Sequence, residues 1–117
     1  MKDCTRRAIA YVVGRKSSGR NSSNVYDYSV GSHHPFGGTV NNDSVAVYDY
    51  TERCHVGGTL PNIYHYGNNN HINLRINQGG QFSGYDYDEC CHFSGNVSGN
   101  KVSIYDYGVS AYFSFSI

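Results

Sequence analysis

Four histidines and three cysteines have the widest chemical reach in this chain: His33, His55, His71 and His92, with Cys54 directly before His55 and Cys90-Cys91 directly before His92. Thiolate and imidazole together ligate zinc, and a cysteine with a histidine partner makes a nucleophile. Both uses meet a geometric objection. Adjacent residues on a strand point to opposite faces, so Cys54 and His55, or Cys91 and His92, are parted by their own backbone. The paired CxxC arrangement that makes a zinc reading strong is absent. Metal binding by His and Cys at these loops therefore ranks third among the functional readings, and neither a metal nor any other cofactor is expected.

Asp27, Asp49, Asp86 and Asp106 form a second set, a row of carboxylates suggestive of acid/base pairs or a cation site. Each comes just before a turn, where a short carboxylate accepts hydrogen bonds from loop N–H groups. Capping is the expected role, and His65 takes the slot once. There is no nucleophile elbow, phosphate loop or dinucleotide fingerprint, and the chain is read as non-enzymatic.

Charge supplies the third candidate. Residues 1–20 carry Lys2, Arg6, Arg7, Arg15, Lys16 and Arg20 against Asp3 alone, while the other 97 residues hold three basic and eight acidic groups. The net charge is zero, yet head and body are oppositely charged. Such a head either reaches for an acidic partner, with Arg6, Arg7, Arg15, Lys16 and Arg20 as a nucleic-acid arm, or folds back on its own acidic body.

All of these residues are positioned by a repeat. Tyr-x-Tyr occurs five times, at Tyr26/Tyr28, Tyr48/Tyr50, Tyr64/Tyr66, Tyr85/Tyr87 and Tyr105/Tyr107, accounting for ten of the twelve tyrosines. Five residues after each second tyrosine comes His33, His55, His71, His92 and finally Tyr112. An apolar residue follows directly in four copies: Val56, Ile72, Phe93 and Phe113. Another strand precedes the Tyr-x-Tyr unit, as in Val102-Ser103-Ile104, so each repeat is a hairpin. The loop is read as the four residues between the second tyrosine and the histidine, such as Thr51 to Cys54, which sets Tyr50 opposite His55.

Alternation then assigns faces. One carries the tyrosines with His55, His71 and His92. The other carries the expected core: Val25, Phe36, Val40, Val45, Val47, Val56, Leu60, Ile63, Ile72, Leu74, Ile76, Phe82, Phe93, Val97, Val102, Ile104, Phe113, Phe115 and Ile117. An open sheet would leave that face wet. The expected fold is therefore all-β, an antiparallel meander of about ten to eleven strands from five hairpin repeats, curled into a barrel or a two-layer sandwich. Residues 1–23 are read as a basic N-terminal arm with a short strand at Ile9 to Val13, and residues 24–117 as the repeat domain, with almost no helix. Composition agrees: at 38% hydrophobic, 14 glycines and no tryptophan, the chain is poorly suited to a helical bundle.

In plan, a short hairpin with an aromatic-x-aromatic signature, the array is similar to MORN repeats, although it lacks their Gly-rich consensus and their acidic and tryptophan positions. It more closely resembles small bacterial proteins of unknown function with tandem Tyr-Asp-Tyr hairpins. The shared unit is Gly84-Tyr85-Asp86-Tyr87, His92-Phe93-Ser94-Gly95 and Val102-Ser103-Ile104-Tyr105-Asp106-Tyr107. The resemblance covers residues 24–117 and the Arg7-Ala8-Ile9-Ala10-Tyr11 start. It implies no activity, so no functional residue follows from it.

Ala8 to Val13 is too short for the apolar core of a signal peptide, and no stretch approaches a membrane span. A cytoplasmic location with reduced cysteines is the expectation, with no membrane partner. The functional expectation is an interaction module. Its face is Tyr26, Tyr28, Tyr48, Tyr50, Tyr64, Tyr66, Tyr85, Tyr87, Tyr105, Tyr107, His55, His71 and His92, and it serves a protein partner or self-association, with nucleic-acid binding second.

Overall fold

Strict two-residue alternation over five hairpins leaves one continuous apolar face, and the chain hides it by closing on itself. The computed structural model describes all of residues 1–117. Ten strands follow in order: β1 (Asn24–Asp27), β2 (Ser32–Asn41), β3 (Ser44–Asp49), β4 (Cys54–Thr59), β5 (Asn62–His65), β6 (Asn70–Ile76), β7 (Gln81–Asp86), β8 (Cys91–Ser98), β9 (Lys101–Asp106) and β10 (Ala111–Ser116). Each is antiparallel to the next, and β1 pairs with β10 through Tyr26↔Ser116 and Asp27↔Phe115. The result is a closed meander barrel, with no sheet edge left unpaired. Every expected core residue is either buried or packed against the buried cluster.

The interior holds something the alternation pattern did not announce. Residues expected to form an arm with a short strand are instead helix α1 (Asp3–Ser18), and the run from Cys4 to Gly14 is wholly buried. Ile9, Ala10, Tyr11, Val12 and Val13 are completely shielded, so the helix runs through the barrel rather than beside it. Ile9, Val12 and Val13 are β-branched and only modest helix formers. Enclosure overrides that preference, because each fully buried side chain of this size gains about 1.5–3 kcal/mol. The Tyr11 ring stacks on Phe36 at 4.8 Å between centroids. Local signals do mark the ends: Asp3 lies in the first turn, Arg15 and Lys16 in the last, and Gly19 closes the helix in the left-handed region with its N–H on the Arg15 carbonyl.

A barrel this tightly curved needs strands that bend. Gly84 pairs with Phe93, and Phe82 with Gly95, two cross-strand pairs in opposite order. A Cβ on Gly84 would lie 1.9 Å from the Asn73 carbonyl oxygen, and one on Gly95 1.9 Å from that of Ser103. Only glycine permits this backbone approach, and the two phenylalanine rings cover the gaps.

The hairpin turn lies one residue earlier than expected, which shifts each cross-strand partner by two residues. The first tyrosine of each unit, not the second, faces the histidine: Tyr26↔His33, Tyr48↔His55, Tyr64↔His71, Tyr85↔His92 and Tyr105↔Tyr112. The second tyrosine instead opens a four-residue turn whose last position is left-handed, with Gly31 at φ 66°, Arg53 and Asn69 at 55°, and Cys90 and Ser110 at 53°. The face assignment survives, since residues two apart on a strand share a side.

Candidate interaction surface

Each repeat delivers the same three-ring unit to the outside of the barrel. The first tyrosine is half-buried; the second tyrosine and the histidine stand edge-on to it from two sides. For the second repeat, Tyr48 lies 4.9 Å from Tyr50 and 4.7 Å from His55, at interplanar angles of 68° and 71°. The other four units match this spacing and tilt closely. Edge-to-face packing suits the ring quadrupole, and a pair of this kind contributes about 0.5–1.5 kcal/mol beyond its area. The five units recur every second strand and form an aromatic collar around one end of the barrel. His33 and Tyr112 belong to it as well. They fill the histidine slot of the first and fifth units, and their place in the repeat was the signal that identified them.

The same strand ends point a second set inward. One oxygen of each aspartate caps the turn: Asp49 Oδ1 accepts from Thr51 N–H at 3.0 Å, Asp86 Oδ1 from Asp88 N–H at 3.0 Å, Asp106 Oδ1 from Gly108 N–H at 2.8 Å and Asp27 Oδ1 from Ser29 N–H at 2.9 Å. His65 Nδ1 does the same for Asn68 N–H at 3.1 Å, which fixes that nitrogen as an unprotonated acceptor. The second oxygens face the helix N-terminus. Asp106 Oδ2 receives the Met1 amine at 2.6 Å and Arg6 Nη1 at 2.9 Å, and Asp27 Oδ2 lies 3.5 Å from Arg7. Asp49 Oδ2, Asp86 Oδ2 and His65 Nε2 have no partner.

Burial alone would raise the Asp106 pKa, but the Met1 amine, the Gly108 N–H and Arg6 bring it below the usual carboxylate value. Asp49 and Asp86, desolvated without a matching cation, are pushed up. Burial holds His65 down, in keeping with a neutral ring.

The basic residues of the N-terminal segment divide by depth. Arg6 and Arg7 are buried; Arg6 stacks at 3.8 Å over the Phe113 ring, and Arg7 also approaches Glu52 at 3.7 Å. Arg15 donates to Tyr11 and to the Gly38 carbonyl, and Lys16 to the Asn42 carbonyl. Arg20 alone of the five is exposed, with Arg15 and Lys16 half-buried. Two of the five charges expected in a nucleic-acid arm thus neutralise carboxylates inside the barrel, and Arg15, Lys16 and Arg20 remain at the helix C-terminal end with partial or full access to solvent.

Cys54 and Cys91 point inward while His55 and His92 point out, as alternation requires. Desolvation pushes the Cys4, Cys54 and Cys91 thiols up, away from nucleophilic thiolate character. No cluster of three or more His, Cys, Asp or Glu side chains is arranged to hold a metal ion. No helix is long and apolar enough to cross a membrane.

Beyond the collar the outer wall is a belt of small polar residues. One depression in it is a shallow groove of ≈ 770 Å³ across β7, β8 and β9, reaching Tyr112 on β10. No protein-family model, curated protein or solved structure matches the chain.

Proposed function

We propose that this chain is a non-catalytic β-repeat scaffold that docks another protein, or a second copy of itself, on its aromatic collar. One observation carries the reading. All eight exposed large hydrophobic side chains, Tyr28, Val30, Tyr50, Tyr66, Tyr87, Tyr107, Val109 and Tyr112, lie in or next to the turns at one end of the barrel. Tyr28, Val30, Tyr107, Val109 and Tyr112 come from the two hairpins that meet where β1 closes on β10, so the apolar surface is densest there.

Tyrosine offers large contact area at small entropic cost, and these rings are held by their neighbours before any partner arrives. Preordered aromatic anchors are the usual source of binding energy at protein interfaces. Nucleic-acid binding is the weaker alternative, because the exposed wall of the strands offers only Arg75 and Lys101 as cations.

The test is sedimentation velocity over a wide concentration range, together with affinity capture, for the native chain and for Tyr28→Ser/Tyr107→Ser. Concentration-dependent assembly, or a captured protein bound in defined stoichiometry, that the double variant loses supports collar docking. A strictly monomeric protein with no such partner, or a variant that behaves as the native chain, overturns it. Binding to mixed oligonucleotides that weakens steeply with salt would favour the alternative.

A further inference from the structure

The groove on the fourth and fifth repeats differs in kind from the rest of the wall. We propose that it binds a neutral oligosaccharide. The inference goes beyond collar docking: it shares rings with the collar, but needs no protein partner.

The first argument is charge. None of the eleven residues lining this groove carries a charged side chain at neutral pH. A phosphate, sulfate or carboxylate ligand needs a cation or a converging set of N–H donors, and an ammonium ligand needs a carboxylate. The groove itself is lined by neither kind of charged group; its nearest cations are Arg75, opposite Ser83, and Lys101, two residues from Ser103 on the same strand, so the lining favours an uncharged ligand.

The second is the alternation of hydroxyl, amide and ring. Ser83 on β7 sits opposite Ser94 on β8, which sits opposite Tyr105 on β9, which sits opposite Tyr112 on β10. One step along the strands, Asn96 faces Ser103. Strands lie ~4.8 Å apart and same-face residues ~6.8 Å apart along a strand, so hydroxyl and amide groups recur at about the width of one pyranose ring. Serine and asparagine each donate and accept, as sugar hydroxyls do. A wholly apolar ligand would strand these groups, at a cost of about 1–3 kcal/mol for each one left unpaired.

The third is the aromatic end. Tyr112 is the one position where the repeat replaces histidine with tyrosine, and it is the most exposed tyrosine in the molecule at 73%. Tyr105 supports it edge-on at 4.7 Å. An exposed, braced ring face carries partial negative charge, and the weakly positive C–H groups on one side of a pyranose complement it. The substitution also replaces an imidazole, which can gain charge near neutral pH, with a phenol, which does not. The corresponding wall of the second repeat is lined by Ala46, Val47 and Gly57 with Arg53, and offers no such grid. A volume of ≈ 770 Å³ suits a ligand of a few sugar rings.

The experiment is an amide chemical-shift titration of the whole protein with cellohexaose, maltohexaose and chitohexaose, with a heparin-derived hexasaccharide as the charged comparison. The expected result is saturable shifts confined to β7 to β10 with at least one neutral sugar. Tyr112→Ala and Asn96→Ala should each weaken binding about tenfold or more. Tyr112→His restores the residue that four other units already accommodate, so it should fold and still lose affinity. No saturable shift with any neutral sugar, unchanged affinity in the Tyr112 variants, or preferential binding of the charged sugar would overturn the proposal. Because Tyr28 lies outside this groove, Tyr28→Ser separates the two readings: it should impair assembly and leave sugar binding intact.

Discussion

Arg6 Nη1 lies 2.9 Å from Asp106 Oδ2, and the two residues, 100 positions apart, are both buried. The contact joins the helix to the last hairpin and supplies a cation to a carboxylate that water does not reach. Removing one member of such a pair leaves the other desolvated and uncompensated, at a cost of about 3–5 kcal/mol. Asp106→Asn keeps an acceptor for the Gly108 N–H but takes the carboxylate away from the buried Met1 amine and from Arg6, which keeps only Asp3 and the Met1 carbonyl as partners. Chemical denaturation should show a loss in that range, or a chain too unstable to measure. A loss below about 1 kcal/mol would mean that the pair carries no such weight.

Asp49 and Asp86 should behave in the opposite way. Their pKa values are raised by burial, so the stability they contribute is present in acid and is lost as pH rises through the raised folded-state value. Neutralising Asp49 as Asp49→Asn, which retains the turn-capping oxygen, should therefore raise Tm at pH 7 by about 4 °C, equivalent to ~1 kcal/mol, with the advantage shrinking toward pH 4. Asp106, whose pKa is lowered, loses its stabilisation as pH falls, so Asp106→Asn should be most damaging at neutral pH and least damaging in acid. Thermal melts across this range distinguish the two signs.

Cys90 occupies a left-handed turn position at φ 53° where the first repeat has Gly31. A side chain with a Cβ pays roughly 1–2 kcal/mol in that region. Cys90→Gly should therefore stabilise the protein by up to about 1 kcal/mol, offset by the greater freedom of glycine in the unfolded chain. Equilibrium unfolding of the two proteins in parallel gives the difference, and a clear destabilisation would refute the strain argument.

Thiol reactivity should follow burial. Cys90 is exposed, whereas Cys4, Cys54 and Cys91 are buried and their thiols are pushed toward the neutral form. An aromatic disulfide reagent should label a single thiol rapidly in the native protein and the other three only on unfolding. Fast labelling of Cys54 or Cys91 would show that the turn end opens readily.

Gly84→Ala and Gly95→Ala should be among the most damaging small substitutions in the chain. Each methyl group would sit 1.9 Å from a backbone carbonyl oxygen on a neighbouring strand, which cannot move aside as a side-chain tip can. A loss of more than about 3 kcal/mol, or failure to fold, is expected. Gly14→Ala makes a useful contrast, because its added methyl meets the Ile117 side chain rather than backbone, the nearest atom being Cδ1 at 2.5 Å.

The barrel and its two faces were legible because strand alternation is a local signal repeated five times. Val45, Val47 and Val56 inside, with Tyr48 and His55 outside, follow from counting by two. The helix was not legible by that route. A helix in contact with apolar walls on every side has no polar stripe, so Ala8 to Val13 reads as an undifferentiated apolar run, and its β-branched residues suggest a strand. Gly19 with Arg15 and Lys16 just before it was the available signal. The depth of Arg6 and Arg7 was hidden for a different reason: their partners Asp106 and Asp27 are distant in sequence, and no local pattern distinguishes a buried arginine from a solvated one. The two-residue shift in hairpin partners arose from reading Tyr50 as strand, when the turn begins there and ends at left-handed Arg53.

Helix α1 precedes in synthesis every strand that encloses it. Until β10 reaches β1, the wall around Ile9, Val12 and Val13 is incomplete, and a helix of this length has little stability alone in water. Assembly must therefore be a late, nearly all-or-none event in which an early-made segment serves as the mandrel on which the staves close. Such a topology predicts little tolerance for loss of the final hairpin, whose strand β10 completes the wall by pairing with β1.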